Sequence, residues 1–435
     1  MARLAKNQTL TTLDGRSLRV LDKIGEGGQG IVYKVKCGKK TYALKWYKRS
    51  CPDAFYDNLK KNAKSGSPAD TFLWPLAITE KAPDGSFGYV MKLCPSSYKP
   101  FSEFLLAHVQ FESLDAWINA GIQLTASFRI LHNKGYSYQD LNDGNFFFDP
   151  KTGNVRICDN DNVAPNGINL GILGKPRYIA PELVNSVRRP DIYSDRFSLA
   201  VILFLLFFRG HPLEGKRDNC DKPNNELNLF CNKPVFVYDP KDLSNRPKPQ
   251  IHKNVEALWS MFPSFVRKQF IKAFDKSLMK NTGLGRENRI MEKEWLLMFK
   301  KLRHSIIICP RCKKGTFFNM KKDSYKCMEC GVKIVKPVSL VIGKDIIPLQ
   351  PNRKLYGYEV DSNQELTIWS DCQQVGEVIT NPKKPTVWGI RNTSGASWSR
   401  ITPGGKENAC EPDGVVTIIR GITIKFGTKG EGVIA

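Results

Sequence analysis

"YSYQDLNDGNFFFDPKTGNVRICDNDN", residues 136–162, decides how the rest of the chain is read. Asp140 is followed five positions on by Asn145, and Asp159 stands near the end of the stretch. Asn and Asp readily build surface turns, so a solvated acidic loop is one reading. Against it stand "NFFF" (145–148) and "VRIC" (155–158), short apolar runs that anchor the loop ends in a core.

The bulk properties set limits. The 435 residues and 41% apolar content suffice for two to four domains with a proper core. A formal charge of +24 favours acidic partners, nucleic acid among them. The N-terminus shows no apolar core of signal-peptide length, and "FSLAVILFLLFF" (197–208) is too short to span a bilayer. Four of the twelve cysteines form one tight pattern and the rest are scattered, which predicts a reducing compartment and a cytoplasmic, non-membrane protein.

Upstream, residues 17–50 alternate like strands around "IGEGGQGIV" (24–32), which sets Gly25, Gly27 and Gly30 ahead of Val32. Such glycines allow backbone amides to approach phosphates, although a plain strand turn has the same look. Fifteen residues past Gly30, "YALK" places Lys45 at a strand end, with Ala43 two positions earlier. Phosphoryl transfer needs one carboxylate to orient the attacking hydroxyl, plus an amide and a second carboxylate to hold metal ions. Asp140, Asn145 and Asp159 fit those roles in that order. Residues 53–64 predict one short helix, 113–135 a longer one, 214–250 a polar surface insertion, and 254–303 a second helical region.

Residues 17–303 resemble a eukaryotic-type protein kinase domain. The likeness rests on the motifs above and on three more. "KPRYIAPEL" resembles the end of an activation segment, with Ala180-Pro181-Glu182. "SDRFSLA" resembles the start of the buried C-lobe helix, where Asp195 would bind back to the catalytic-loop backbone. "RIMEKEW" makes Arg289 the expected ion partner of Glu182. Small-molecule kinases share the Asp–Asn–Asp layout but generally lack the Ala-Pro-Glu element.

The resemblance implies an α+β bilobal fold with an N-lobe over about 17–95 and a C-lobe over about 96–303. It also implies ATP and magnesium as cofactors and a protein substrate. Ile24, Val32 and Ala43 would cover the adenine, Phe147 would lie below, Met91 would be the gatekeeper and Leu93 would sit on the hinge. Gly25, Gly27 and Gly30 would cradle phosphates, Lys45 would pair with them, and Asn145 and Asp159 would hold magnesium beside Asp140. "DNDN" and "HPLEG" further resemble a bacterial subset of the family.

Several residues depart from the family wording. Gln139 replaces the Arg that reads a phosphate on the activation segment, and residues 160–177 contain no Ser, Thr or Tyr. The two departures agree, and predict a site independent of activation-segment phosphorylation. Asn160-Asp161 replaces Phe-Gly, with Asp161 expected to add metal affinity or cap the following turn. No Glu occurs from Trp46 to Ile78, leaving Asp57 as the nearest helix partner for Lys45. Asn142 stands where Ser/Thr kinases carry Lys, and Lys175 where they carry Thr. The expectation remains a Ser/Thr kinase. Its rivals are a pseudokinase scaffold that binds nucleotide without turnover, for which the missing Glu argues, and a basic nucleic-acid-binding protein.

In "CPRCKKGTFFNMKKDSYKCMECG", Cys309, Cys312, Cys327 and Cys330 form two C-x-x-C knuckles separated by 14 residues, which predicts a structural zinc ribbon over 304–336. Residues 300–336 hold 11 Lys/Arg against 2 Asp/Glu, a face suited to nucleic acid or a protein partner. Phe317, Phe318 and Tyr325 are expected to form the ribbon's own core. Residues 337–435 predict a small all-β sandwich, which resembles a degenerate forkhead-associated domain. Its Gly-Arg phosphothreonine element would be Gly376-Glu377, so a partner-docking or autoregulatory module is expected.

Overall fold

The computed structural model describes residues 3–171, 174–184, 188–218, 225–361, 363–368 and 372–435. Strands β1 (Thr9–Thr11), β2 (Ser17–Glu26), β3 (Gly30–Cys37), β4 (Lys40–Tyr47), β5 (Ala77–Ile78) and β6 (Gly88–Lys92) form one antiparallel sheet in the order 1-2-3-4-6-5. Side chains alternate across it with a period of two. Leu18, Val20, Ile31, Tyr33, Val35, Leu44 and Trp46 fill one face. Ala43, Tyr47, Tyr89 and Met91 fill the other, packed on Phe55, Tyr56 and Leu59 of helix α1 (Asp53–Ser65). Lys45 falls between Ala43 and Tyr47 on this second face, so the strand period itself aims it under α1.

The larger lobe is helical. Ser113 caps helix α2 (Leu114–Asn133), its hydroxyl accepting from the Ala116 amide at 3.0 Å. Helix α3 (Ile192–Phe208) opens on a capping box between Asp191 and Ser194 and is buried all round from Phe197 to Phe208, as a central core helix must be. Helix α4 (Glu292–His304) crosses α2 closely at Gly121, where an added Cβ would lie 2.8 Å from the Phe299 ring. The stretch expected to be a surface insertion is only partly one: Leu229, Phe230, Cys231, Val235, Phe236 and Val237 are buried in the C-lobe. Apolar spacing there is hidden among polar residues, and residues 219–224 lie outside the described set.

An ionic network ties α2, α3 and α4 together. His132 stands 3.1 Å from Asp195 and 3.0 Å from Glu292, and Arg196 reaches Glu292 at 2.9 Å. Burial works against a charged imidazole, but hydrogen bonds to the two carboxylates outweigh it and raise the His132 pKa to about 9. The folded value exceeds the unfolded one, so this contribution is complete below pH 6.5 and is lost as pH rises through 9. The expected loss between those limits is on the order of 3 kcal/mol. Denaturant midpoints measured across this range will show it, and His132→Gln will flatten the slope; an equal slope in both proteins would refute the assignment.

Beyond α4 the chain forms two short hairpins, Ile306–Ile308 with Gly315–Phe317 and Ser324–Lys326 with Lys333–Val335. Phe318, Ile307 and Ile334 cluster with the cysteines, and the Tyr325 ring lies 6.0 Å from Phe318. Phe317 departs from expectation. It enters the C-lobe core, with its ring 5.1 Å from Phe262. Phe317 ends its strand and Phe318 follows it directly, so the two neighbours face opposite ways.

The last hundred residues form two antiparallel sheets. One has six strands, in the order Asp345–Pro348, Ser339–Ile342, Glu431–Ile434, Thr423–Lys425, Trp398–Ile401, Glu407–Cys410. The other has four, in the order Lys354–Tyr356, Gln374–Asn381, Lys384–Asn392, Val415–Thr417. Leu340, Leu355, Val378, Ile390, Val416 and Ile424 form their common core. Gly376-Glu377 lies inside a strand paired on both sides, not in an anion-binding loop. The sandwich is joined to the C-lobe through Tyr358, Leu366 and Ile368, which belong to the C-lobe core, and through a 3.0 Å contact from His304 to the buried Glu359. Among the described residues no helix is long and apolar enough to cross a membrane.

Candidate active site

Asp195 builds the floor of the cleft. Its carboxylate accepts from the amides of Tyr138 (2.5 Å) and Gln139 (3.0 Å), fixing the loop that carries Asp140. Asn145 donates its side-chain amide to the Asp140 carbonyl at 2.6 Å, and its own carbonyl accepts from the Cys158 amide at 2.8 Å. These bonds set Asp159 beside Asn145. Burial pushes the Asp140 carboxyl up to about 6. That is closer to neutrality than an ordinary carboxylate and suits a group meant to take up a proton.

Lys45 comes down from β4, 5% exposed, and reaches Asp159 at 3.1 Å. Its second partner is Asp161, at 2.9 and 3.1 Å to the two oxygens. Burial alone would lower the lysine pKa, but Asp161 and Asp159 more than reverse this and hold it above its usual value. Asp161 is itself completely buried and accepts from the Tyr47 hydroxyl at 2.6 Å and the Tyr89 hydroxyl at 3.4 Å. Asp57, expected as the lysine's helix partner, instead pairs with Lys60 at 2.7 Å on the surface. The place of the missing helix glutamate is taken by a residue of the loop itself.

Helix α1 is tethered in another way. Asn58 and Asn62, one turn apart, both donate to the Val163 carbonyl, at 2.7 and 2.8 Å. Downstream, Gln139 adopts a left-handed φ of 74° and donates its side-chain amide to the Ile168 carbonyl at 2.6 Å. Asn160, in place of the family's Phe, is fully buried and bonds the Ile157 carbonyl at 2.9 Å. The described part of the segment after Asp159 is therefore anchored by neutral side-chain amides. At its far end Arg289 grips Glu182 through two 2.8 Å bonds.

Residues 87–279 match the family model of the protein kinase domain. The chain carries a protein kinase domain. The match begins at Phe87, so Lys45 and the glycine loop lie outside it. Two similar proteins are the probable serine/threonine-protein kinase C70.05c of Schizosaccharomyces pombe and the CBL-interacting serine/threonine-protein kinase 13 of Arabidopsis thaliana. The first is 25% identical over 126 residues, covering 25% of this chain and 16% of that protein. The second is 31% identical over 100 residues, covering 22% of this chain and 20% of that protein. The chain thus matches a fifth or less of each relative's length.

Around the kinase cleft, Ala43 and Met91 face each other in adjacent strands, with Val32 and Leu93 half-buried beside them. Phe147 is half-buried on the C-lobe side and Ile24 stays 49% exposed at the rim. A Cβ at Gly27 or Gly28 would meet no protein atom within 4 Å, whereas one at Gly30 would strike the Trp46 carbonyl at 2.7 Å. Gly30 therefore serves strand packing, and Gly27 and Gly28 keep room open above the cleft. Lys48 steadies that loop by donating to the Gly27 carbonyl at 2.8 Å and pairing with Glu26 at 2.7 Å. Open loop, cationic lysine and the carboxylate–amide pair together fit a magnesium-bound nucleoside triphosphate.

The sequence gives one retrospective signal for Asp161. Lys45 and Tyr47 share a strand face, and Tyr89 stands opposite Lys45 in register, so two hydroxyls and an ammonium converge on one point. Such a point calls for a buried anion.

Proposed function

We propose that this chain is an ATP- and magnesium-dependent protein kinase acting on Ser/Thr hydroxyls, with no need for a phosphate on its activation segment. The observation that carries this reading is the convergence of Lys45, Asp140, Asn145 and Asp159 on a loop clamped by Asp195. Lys45 would hold the nucleotide phosphates, and Asn145 and Asp159 would hold magnesium. Asp140 would orient the substrate hydroxyl and take its proton. Magnesium, when bound, neutralises charge on the phosphates. The Gln139–Ile168 bond supports independence from phosphorylation, because it supplies the ordering that an Arg–phosphate contact gives elsewhere. The Ser/Thr preference is supported by the likeness to two proteins that are both named serine/threonine-protein kinases.

Residues 304–336 are read as a zinc ribbon, on the strength of four thiols within 4.8 Å of one another. Residues 337–435 are read as a forkhead-associated-like docking module for a protein partner. The Lys45–Asp161 contact weighs against the pseudokinase reading, which rests on the missing helix glutamate.

The test is transfer of labelled phosphate from ATP-magnesium to the chain itself and to a mixed peptide panel. Asp140→Asn is expected to lower the rate about 10²- to 10³-fold with an unchanged unfolding midpoint. No label from the intact chain, with ATP still raising its midpoint, would make it a nucleotide-binding scaffold.

A further inference from the structure

Two of the residues that depart from the family wording meet in space. Asn142 lies 2% exposed beside Asp140, its side-chain amide donating to the Asp140 carbonyl at 3.1 Å and carboxylate at 3.2 Å. Its oxygen accepts from the Gly144 amide at 3.0 Å and from the Lys175 ammonium at 3.1 Å. Lys175, from the segment after Asp159, thus brings an ammonium to the side chain at position 142, where Ser/Thr kinases carry a lysine.

The backbone is built for this delivery. Gly174 has φ +71°, and a Cβ there would lie 2.4 Å from Ile179 Cγ2 and 3.5 Å from Asp140 Oδ1. The left-handed φ and the close approach to Ile179 call for glycine here, and the segment passes the Asp140 carboxylate at van der Waals distance. Just beyond, the Lys175 carbonyl accepts from the amides of Tyr178 (2.8 Å) and Ile179 (3.1 Å), and the Tyr178 carbonyl accepts from Ser198 of α3 at 2.8 Å. The lysine's main chain is therefore pinned to the core while its side chain reaches across the catalytic loop. Lys175 and Lys45 both act by charge on the Asp140 carboxylate. Lys45 is already committed to Asp159 and Asp161. Among the described residues, the Lys175 ammonium donates to a neutral amide oxygen alone, a contact it can share with or yield to a stronger acceptor.

We propose that Lys175 is the cation that holds the transferring phosphoryl group, a role that rests on the kinase reading above. The substrate oxygen bonds to the γ-phosphorus of ATP as the bond to the β,γ-bridging oxygen breaks. The hydroxyl proton passes to Asp140, and the bridging electron pair leaves with ADP. Throughout, the Lys175 ammonium donates to a peripheral oxygen of the γ-phosphoryl, where negative charge is concentrated.

The test compares wild type, Lys175→Met and the transplant Asn142→Lys/Lys175→Met. Affinities for magnesium–ADP and for the non-hydrolysable magnesium–adenylyl imidodiphosphate are read by calorimetry, and kcat by label transfer. Lys175→Met is expected to weaken the triphosphate analogue about tenfold relative to ADP, to leave ADP within twofold, and to cut kcat about 10²-fold. The transplant is expected to recover at least tenfold of that kcat and the analogue's relative affinity. An unchanged affinity ratio with kcat within threefold of wild type would overturn the proposal, as would a transplant no better than Lys175→Met. If wild type transfers no label, the kinase reading fails, and the affinity ratio alone still decides whether Lys175 meets the terminal phosphate.

Discussion

Replacing Asp161 with asparagine will lower phosphate transfer by about 10³-fold or more and destabilise the fold by about 3–5 kcal/mol, the usual cost of stripping one partner from a buried pair. The reason lies in what Asp161 accepts: the Lys45 ammonium and the hydroxyls of Tyr47 and Tyr89, all buried. An asparagine amide offers one oxygen and presents an NH₂ to groups that are themselves donors. Lys45 would then lean wholly on Asp159, 3.1 Å away, which is the carboxylate proposed to hold magnesium. One substitution thus disturbs two of the proposed catalytic groups, and misplacement of about 1 Å is enough to cost 10²-fold. Asp57→Ala is the companion measurement, expected within about 0.5 kcal/mol of wild type with full activity, since Asp57 meets only Lys60 at the surface. If the Asp57 variant lost transfer and the Asp161 variant kept it, the helix-partner arrangement would be restored and this account abandoned.

Zinc chelation, or Cys309→Ser, will unfold residues 306–335 and release one zinc ion per chain. The sulfurs of Cys309 and Cys330 lie 3.7 Å apart, and those of Cys312 and Cys327 3.6 Å. A tetrahedral ion with zinc–sulfur bonds of about 2.3 Å demands about 3.8 Å, whereas a disulfide would demand about 2 Å. Each knuckle closes with the same turn: the Lys313 amide returns to the Cys309 carbonyl and the Gly331 amide to the Cys327 carbonyl, both at 3.0 Å. Lys313 and Gly331 both take positive φ, which a lysine accepts only under constraint. Few apolar side chains support this hairpin pair, while structural zinc contributes about 10–16 kcal/mol in comparable pieces. A metallochromic indicator will count the ion, and tryptic cleavage between Lys313 and Lys326 will report the unfolding. A chain that carries no zinc, or that sheds it with protease resistance intact, would sink the ribbon reading.

What could be read in advance was whatever depends on short spacing or on an ordered set of motifs. The Glu182–Arg289 pair and the grip of Asp195 on the loop amides follow from the family resemblance, and α2 from its helical apolar spacing. Less legible were contacts between residues far apart in sequence whose types are all common. Lys45 and Asp161 are 116 positions apart, and nothing local distinguishes Asp161 from Asp57 as a partner. Asn142 and Lys175 looked like two separate losses, because a swap of position is visible only when the chain is folded. Phe317 and Phe318 were indistinguishable until the C-lobe covered one side of their strand. The buried run 229–237 was masked by the Asn and Lys around it, whose polar heads reach solvent while their neighbours face inward.

The junction after α4 has a practical consequence for anyone preparing the catalytic half alone. Phe317 seals Phe262, Tyr358 and Ile368 complete the underside of the C-lobe, and Lys300 is paired with Asp345 at 2.7 Å. A fragment ending at residue 303 would therefore be born with an open hydrophobic wound and orphaned charges along α4. Such a fragment is expected to aggregate, and its inactivity would say nothing about the enzyme. The tail works as a lid on the catalytic half's core, so the smallest trustworthy preparation carries it.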